Sequence, residues 1–66
     1  MQITLNGERV KISANLNITN LLAKYELSEN KVAIELNREI IPISDYHHTI
    51  LQENDQVEIV EFVGGG

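Results

Sequence analysis

VEIVEFV, residues 57–63, is a dense apolar segment that is followed directly by three glycines. Alternate residues of a β-strand point to opposite faces of a sheet, so Val57 and Ile59 share one face while Val60 and Phe62 share the other. Apolar residues on both faces are typical of a strand that has neighbours on both sides. We therefore predict that this segment forms a central strand of a sheet.

The face that carries Val60 and Phe62 also carries Glu58, which favours it as the outer face. A single helix can cover only one face of a sheet, so some apolar side chains on the other face stay exposed. An exposed apolar patch can mark a docking surface, although single exposed apolar residues are common. We predict that Val60, Phe62 and Val63 dock a partner protein beside the glycines.

Residues 1–13 predict an antiparallel hairpin. Apolar and polar side chains alternate in residues 1–5 and again in residues 9–13, which indicates two strands with one buried face each. Asn6-Gly7 lies between them, and this dipeptide favours the type I′ turn, in which both central residues have positive φ. The first two strands are therefore expected to pair with each other.

A short amphipathic helix is predicted next. Ile18, Leu21, Leu22 and Tyr25 recur at helical spacing and mark one apolar face. Asn17 precedes them and is a suitable N-cap, because its side-chain oxygen can accept a hydrogen bond from an unpaired backbone N–H. A helix this short is not stable alone in water, so packing must hold it.

Three further strands follow the helix. Residues 32–36 alternate in the manner of a strand, residues 37–38 favour a turn, and residues 39–41 favour a short strand that Pro42 ends. The final strand is expected over residues 56–63.

Between these strands, residues 44–48 are expected to form one helical or 3₁₀ turn with Ser44 as its cap. Ile50 and Leu51 are expected to return to the core.

The order strand, strand, helix, strand, short strand, turn, strand predicts an α+β fold. One helix should lie across one face of a mostly antiparallel sheet. Residues 1–63 are expected to form a single domain and residues 64–66 a flexible tail.

Composition excludes several classes of function. The 66 residues include ten Asp and Glu against five Lys and Arg, a net charge of −5, which disfavours binding to nucleic acid or to anionic membranes. No cysteine is present, so no disulfide and no thiolate metal site is expected. The apolar runs are too short to span a membrane, and residues 1–4 lack the features of a signal peptide. We expect a cytoplasmic protein.

The familiar catalytic and metal-binding patterns are missing. Ser44 and His47 lack the strand-to-helix elbow that acyl transfer needs. His47 and His48 are adjacent and point in different directions, so they are expected to be solvated rather than to bind zinc. The sequence contains no phosphate-binding glycine motif. We therefore expect no catalytic residue and no metal site.

The remaining chemistry is that of the Gly66 carboxylate. A carboxylate can attack the α-phosphate of ATP to form an acyl-adenylate, which then accepts a sulfur nucleophile. Gly64 and Gly65 carry no side chains, so an extended backbone could pass through a channel too narrow for other residues, and the three glycines reach about 10 Å at most. A disordered end without function is the alternative interpretation of this tail.

The order of elements resembles the ubiquitin-like β-grasp fold. MQITLNG (1–7), VAIELN (32–37) and VEIVEFVGGG (57–66) closely resemble the ThiS family, sulfur carriers of thiamine biosynthesis. The resemblance covers the whole chain and implies a mixed sheet of four to five strands with one helix across one face. Many family members have glycine in the turn before the last strand, where this chain has Asn54, but asparagine also suits a turn.

The resemblance implies a reaction cycle in which the chain is a carrier and cosubstrate without a cofactor of its own. An E1-like adenylyltransferase would activate Gly66, with Gly64 and Gly65 lining its channel. A persulfide relay fed by a cysteine desulfurase would convert Gly66 to a thiocarboxylate, and thiazole synthase would take the sulfur into the thiazole of thiamine. Glycine ends also occur in ubiquitin and in the molybdopterin carrier. A carrier for molybdopterin synthesis, a protein modifier and an interaction module therefore remain open.

Overall fold

The computed structural model of the chain describes residues 1–62. Within that range the chain forms five strands, one α-helix and two 3₁₀ turns. The strands are β1 (Gln2–Leu5), β2 (Glu8–Lys11), β3 (Val32–Leu36), β4 (Glu39–Ile41) and β5 (Gln56–Glu61); the helix is α1 (Ile18–Lys24); and the 3₁₀ turns are Glu29–Lys31 and Ile43–Asp45. The predictions for Val63, Gly64, Gly65 and Gly66 lie outside the described residues.

The five strands form one mixed sheet in the order β2-β1-β5-β3-β4. β1 and β5 run parallel, whereas β1–β2, β3–β4 and β3–β5 are antiparallel. β5 therefore lies in the centre, as its apolar residues on both faces predict. This sheet with its single helix confirms the predicted β-grasp architecture.

Two tight turns connect the hairpins. Asn6 and Gly7 have φ values of 49° and 83°, so both central positions are left-handed, as a type I′ turn requires. Asn37 and Arg38 repeat this geometry with φ values of 49° and 72°. Both turns predicted from the sequence are confirmed. Asn54 has a φ of 70°, a left-handed conformation that asparagine tolerates better than most residues.

The helix begins as predicted. The Asn20 backbone N–H donates to Asn17 Oδ1 at 2.6 Å, and the Asn17 N–H donates in turn to Asn20 Oδ1 at 3.4 Å. This reciprocal pair satisfies backbone donors that have no partner within the helix. The helix ends at Lys24, one residue before Tyr25, and Glu26 then takes a positive φ of 57° that turns the chain away.

One side of the sheet is covered by the helix and holds the core. The buried side chains come from β1, β3, β5, the helix and the connecting segments, whereas β2 and β4 contribute none: Ile3, Ile12, Ile18, Leu21, Leu22, Val32, Ile34, Tyr46, Leu51 and Val57. The predicted apolar stripe of the helix is thus shorter than expected, because Tyr25 caps the helix and is 39% exposed.

Two predictions between β4 and β5 are wrong. Ser44 lies inside the 3₁₀ turn rather than at its cap, because Pro42 is the N-cap residue and no side chain caps the turn. Ile50 is exposed, whereas Leu51 is buried. Backbone bonds from Ile18 N–H to Thr49 O and from Leu51 N–H to Leu16 O hold this segment extended, so neighbouring side chains point to opposite sides.

Tyr46 takes a place in the core that the sequence did not indicate. Its side chain is almost completely buried, and burial raises the pKa of its hydroxyl above the ordinary value of 10.0.

Candidate functional site

The two faces of β5 differ sharply in exposure. Val57 is 1% exposed and faces the helix, and Ile59 beside it is partly buried. Val60 and Phe62 point to the opposite face and are 58% and 52% exposed. The predicted assignment of inner and outer faces is therefore confirmed, and we call the pair Val60 and Phe62 the outer patch.

The outer patch lies at the end of β5 that leads to the glycines. Val60 is paired with Ala33 of β3, whose small side chain leaves the valine uncovered. Phe62 follows the strand directly, and its backbone N–H donates to Lys31 O at 2.8 Å. That bond continues the pairing of β5 with the segment before β3 by one residue, so Phe62 is held at the end of the sheet.

A third large apolar side chain on this face was missed by the sequence reasoning. Ile40 pairs with Glu35 across β3–β4, so it faces outward, and it is 71% exposed. The signal was present in the short strand itself, because Ile40 and Ile41 are adjacent and cannot both face the core.

Two carboxylates lie next to the outer patch. Glu35 of β3 and Glu58 of β5 are directly opposite each other in the register, and both point to the outer face. Like charges opposite each other in neighbouring strands are destabilising. This pair of carboxylates adds negative charge to the outer face, and negative charge suits a partner with a basic surface.

Arg9, a basic residue at the other end of this face, already donates hydrogen bonds within the chain. Arg9 donates to Gln2 Oε1 at 3.0 Å, to Asn54 Oδ1 at 3.0 Å and to Thr4 Oγ1 at 3.3 Å. It thereby ties the first hairpin to the turn before β5. Its role here is structural. The charged residues beside the outer patch are Glu35, Glu58 and the exposed Lys31, whose carbonyl accepts from the Phe62 N–H.

The strand that carries the outer patch is anchored from the other side by a residue distant in sequence. The Ile59 N–H donates to Asn6 Oδ1 at 2.7 Å, and the Asn6 N–H donates to Val57 O at 2.9 Å. Asn6 therefore forms part of the first turn and also makes two hydrogen bonds to β5. These bonds hold the end of β5 without any contact to the outer patch.

The histidines form no metal site with their neighbours. His47 and His48 are exposed, and their rings meet edge to face with centroids 5.4 Å apart. Across residues 1–62, no group of three His, Cys, Asp or Glu residues is arranged to hold a metal ion. No helix in that part of the chain is both long enough and apolar enough to cross a membrane.

Of the predicted site residues, the structure therefore describes only Val60 and Phe62. It brings them together at the end of the central strand. Their binding of a partner, the docking role of Val63 and the chemical roles of Gly64, Gly65 and Gly66 remain predictions.

Comparison with known proteins gives consistent results. The family model of the ThiS family matches residues 3–66. The sulfur carrier protein ThiS of Bacillus subtilis is 45% identical over 65 residues, which cover 97% of this chain and 98% of that protein. The crystal structure of the thiamine biosynthesis protein ThiS from Geobacter metallireducens superposes with a TM-score of 0.85 at 32% identity, covering 100% of both chains.

A further similarity is to a longer protein. A thiazole synthase of Paramagnetospirillum magneticum is 39% identical over 66 residues, which cover 100% of this chain but only 20% of that protein. The chain thus spans about a fifth of the length of this relative. A region similar to the whole chain is therefore part of the same polypeptide as the rest of that thiazole synthase.

Proposed function

The chain belongs to the ThiS family, and we propose that it is a sulfur carrier of thiamine biosynthesis. The observation that carries the proposal is the combination of a family match over residues 3–66 with a hydrogen-bonded central strand. The end of that strand presents the exposed apolar pair Val60 and Phe62, and only Val63 separates Phe62 from the three glycines. In this proposal the chain is a cosubstrate of cytoplasmic partner enzymes and not itself an enzyme.

The chemistry begins at the carboxylate of Gly66. An E1-like adenylyltransferase directs this carboxylate onto the α-phosphate of ATP, which forms the acyl-adenylate and releases pyrophosphate. A persulfide, supplied by a cysteine desulfurase or a relay protein, displaces AMP and leaves an acyl disulfide. A thiol then attacks the sulfur of the relay, which becomes a disulfide, and the chain is released as the thiocarboxylate.

The thiocarboxylate sulfur is then available to thiazole synthase. A thiocarboxylate is a better nucleophile than a carboxylate, because its sulfur is more polarisable and holds its negative charge less tightly. It carries sulfur without a cysteine, which agrees with a chain that has none. When the sulfur is transferred, oxygen from the acceptor substrate or from water takes its place on the terminal carbon, so the carboxylate is regenerated and the chain can be activated again.

The described part of the chain supports this scheme through the strand and the outer patch that precede the glycines. Outer-patch contacts would place the chain on its partner, and Glu35 and Glu58 favour a basic surface there. The hydrogen bonds from Ile59 to Asn6 and from Phe62 to Lys31 hold the last described residues of the chain in the sheet. Gly64 and Gly65 would then extend into the partner's channel.

Mass spectrometry of the intact protein tests the proposal. The chain is incubated with ATP, magnesium, the adenylyltransferase and a sulfide or persulfide source. We expect a mass increase equal to the replacement of one oxygen by sulfur, located at Gly66 by fragmentation. Gly66→Ala is the matched control and should show no such increase. An unmodified wild-type chain under conditions that modify the Bacillus subtilis relative would refute the proposal.

Genetic complementation separates the pathways. The gene should restore growth without thiamine in a strain that lacks its own carrier. Restoration of molybdoenzyme activity instead would assign the chain to molybdopterin synthesis, and isopeptide-linked conjugates in lysates would identify a protein modifier.

A further inference from the structure

A second surface borders β5 on the opposite side from the outer patch. An open cavity of about 370 Å³ lies where β1 ends, between the first turn and the segment that follows the helix. We call it the inner groove. Its apolar lining comes from Leu5, Tyr25, Leu27 and Ile59, and its carboxylates are Glu8 and Glu61.

One wall of the inner groove is a stretch of β5 that has no neighbouring strand within residues 1–62. β1 pairs with β5 only through Thr4–Gln56 and Leu5–Val57. Beyond that point the Asn6 side chain accepts from the Ile59 N–H. No strand of residues 1–62 pairs with this edge of residues 59–61, although β5 is central elsewhere.

The backbone groups of this edge that have no strand partner within residues 1–62 point away from β3, on the side of the inner groove. Residues of an antiparallel pair alternate between hydrogen-bonded and non-bonded positions. Bonds from Asn37 N–H to Gln56 O and from Phe62 N–H to Lys31 O mark the bonded positions of β5. Ile59 and Glu61 lie at the alternate positions, so the Ile59 carbonyl and the Glu61 N–H and carbonyl face away from β3. An exposed edge of this kind is a template for strand addition.

The lining of the inner groove indicates which side chain it would accept. An apolar floor with carboxylates at Glu8 and Glu61 suits lysine or arginine, whose aliphatic stem packs on apolar surface while the cation stays at the rim. The net charge of −5 also favours a basic partner. A small apolar ligand would leave both carboxylates and the strand edge without partners.

We propose that the inner groove docks an extended segment of thiazole synthase that carries a lysine or arginine. This segment adds as a strand to residues 59–61, and its cation meets Glu8 and Glu61. The proposal rests on the proposed function for the choice of partner. In Paramagnetospirillum magneticum a region similar to this chain is part of the thiazole synthase polypeptide, which supports that choice. If the partner also binds the outer patch, it would contact both faces of β5 just before the glycines.

Hydrogen exchange at single amides tests the strand addition. The ¹⁵N-labelled chain, in its ordinary carboxylate form, is measured alone and with purified thiazole synthase from the same organism. The Glu61 amide faces the inner groove, so its exchange should slow by about tenfold or more in the complex. The Phe62 amide, already bonded to Lys31, is the internal control and should change much less. A complex in which Glu61 exchange is unchanged overturns the proposal, and so does the absence of a complex.

Charge reversal tests the side-chain part of the proposal. The double variant Glu8→Lys/Glu61→Lys should bind thiazole synthase about tenfold more weakly, because attraction at the rim becomes repulsion. Glu39→Lys changes an exposed carboxylate on β4, away from the inner groove, and should bind like the wild type. Amide spectra verify that each variant is folded. Equal binding of the double variant and the wild type contradicts the proposal.

These measurements do not require sulfur transfer, so they separate the two proposals. If the thiocarboxylate fails to form while thiazole synthase protects Glu61, the chemical function is wrong and the docking site stands. If the thiocarboxylate forms but Glu61 is not protected, only the docking site is wrong.

Discussion

The inner and outer faces of the sheet carry the same types of apolar residue but differ in how much of each side chain is exposed. Val57 and Val60 lie three positions apart in β5, and their exposed fractions are 1% and 58%. Ile34 and Ile40 lie in adjacent strands and are 0% and 71% exposed. Hydrophobicity alone does not distinguish these pairs; the single helix distinguishes them, because it covers only one face. The buried inner residues are therefore expected to determine stability, and the exposed outer patch is expected to contribute to binding the adenylyltransferase.

Because the chain is small, the two faces of the sheet should differ strongly in their contribution to stability. Complete burial of a large aliphatic side chain stabilises a fold by about 1.5–3 kcal/mol, and a domain of this size has few such side chains. The helix spans seven residues and leaves the other face of the sheet uncovered. Exposed apolar side chains on that face contribute little to folding, so their effect should be found in association with a partner.

The largest expected effect comes from the isoleucine pair. Ile34→Ala should lower the free energy of unfolding by about 2–5 kcal/mol, because it leaves a cavity under the helix. Ile40→Ala removes the same atoms from an exposed site and should change it by less than about 0.5 kcal/mol. Urea denaturation followed by circular dichroism measures both. Similar losses in the two variants would show that the two faces do not differ in their contribution to stability.

The next effect concerns the outer patch. Phe62→Ala should weaken binding to the adenylyltransferase by about 1–3 kcal/mol, the range of a buried aromatic contact at an interface. Its urea midpoint should stay close to that of the wild type, because Phe62 is half exposed. Isothermal titration calorimetry gives the affinity.

Ile50→Ala is the control for that measurement. Ile50 is 44% exposed and lies outside the sheet, so its truncation should leave the affinity unchanged. If both variants bind equally well, the outer patch is not the docking surface.

A smaller effect is expected at the helix that separates the two faces. Asn17→Ala removes the N-cap, and also the bond from Asn17 Nδ2 to His47 O at 3.1 Å, and should cost about 1 kcal/mol of stability. Asn30→Ala is the control, since Asn30 is exposed and makes no side-chain hydrogen bond within residues 1–62. Thermal unfolding compares the two. Binding of Asn17→Ala to the adenylyltransferase should equal that of the wild type, and weakened binding would link the helix to the docking surface.

Local signals in the sequence were sufficient for most of the fold. Asn6-Gly7 identified a turn because positive φ at two successive positions strongly restricts residue type. Asn17 identified the start of the helix through its capping chemistry. The alternation in residues 57–63 indicated both the central position of the strand and the orientation of Val60 and Phe62. Each of these inferences depended on neighbours in the sequence.

Features that depend on residues distant in the sequence could not be predicted from local sequence patterns. The bond from Ile59 to Asn6 joins residues 53 positions apart, and nothing local in Asn6-Gly7 indicates it. The inner groove exists because β1 stops before β5 does, which is a property of register. Ile50 was placed in the core because its hydrophobicity was visible, whereas the backbone bonds that turn it outward were not. The docking surfaces are thus less predictable than the strands that form them.

The smallest expected effect lies at the carboxylates of the outer face, where stability and binding should change in opposite directions. Glu58→Gln removes the like-charge contact with Glu35 and should raise the free energy of unfolding by about 0.2–1 kcal/mol. It also removes a negative charge beside the outer patch, so association with the adenylyltransferase should become slower and less dependent on salt. Stopped-flow kinetics at two ionic strengths, with urea denaturation of the same samples, measures both. Gln56→Glu, a change at an exposed position of the same strand, places a charge farther from the outer patch and is the control. A Glu58→Gln variant that is no more stable and associates at an unchanged rate would mean that this carboxylate pair has no role in docking.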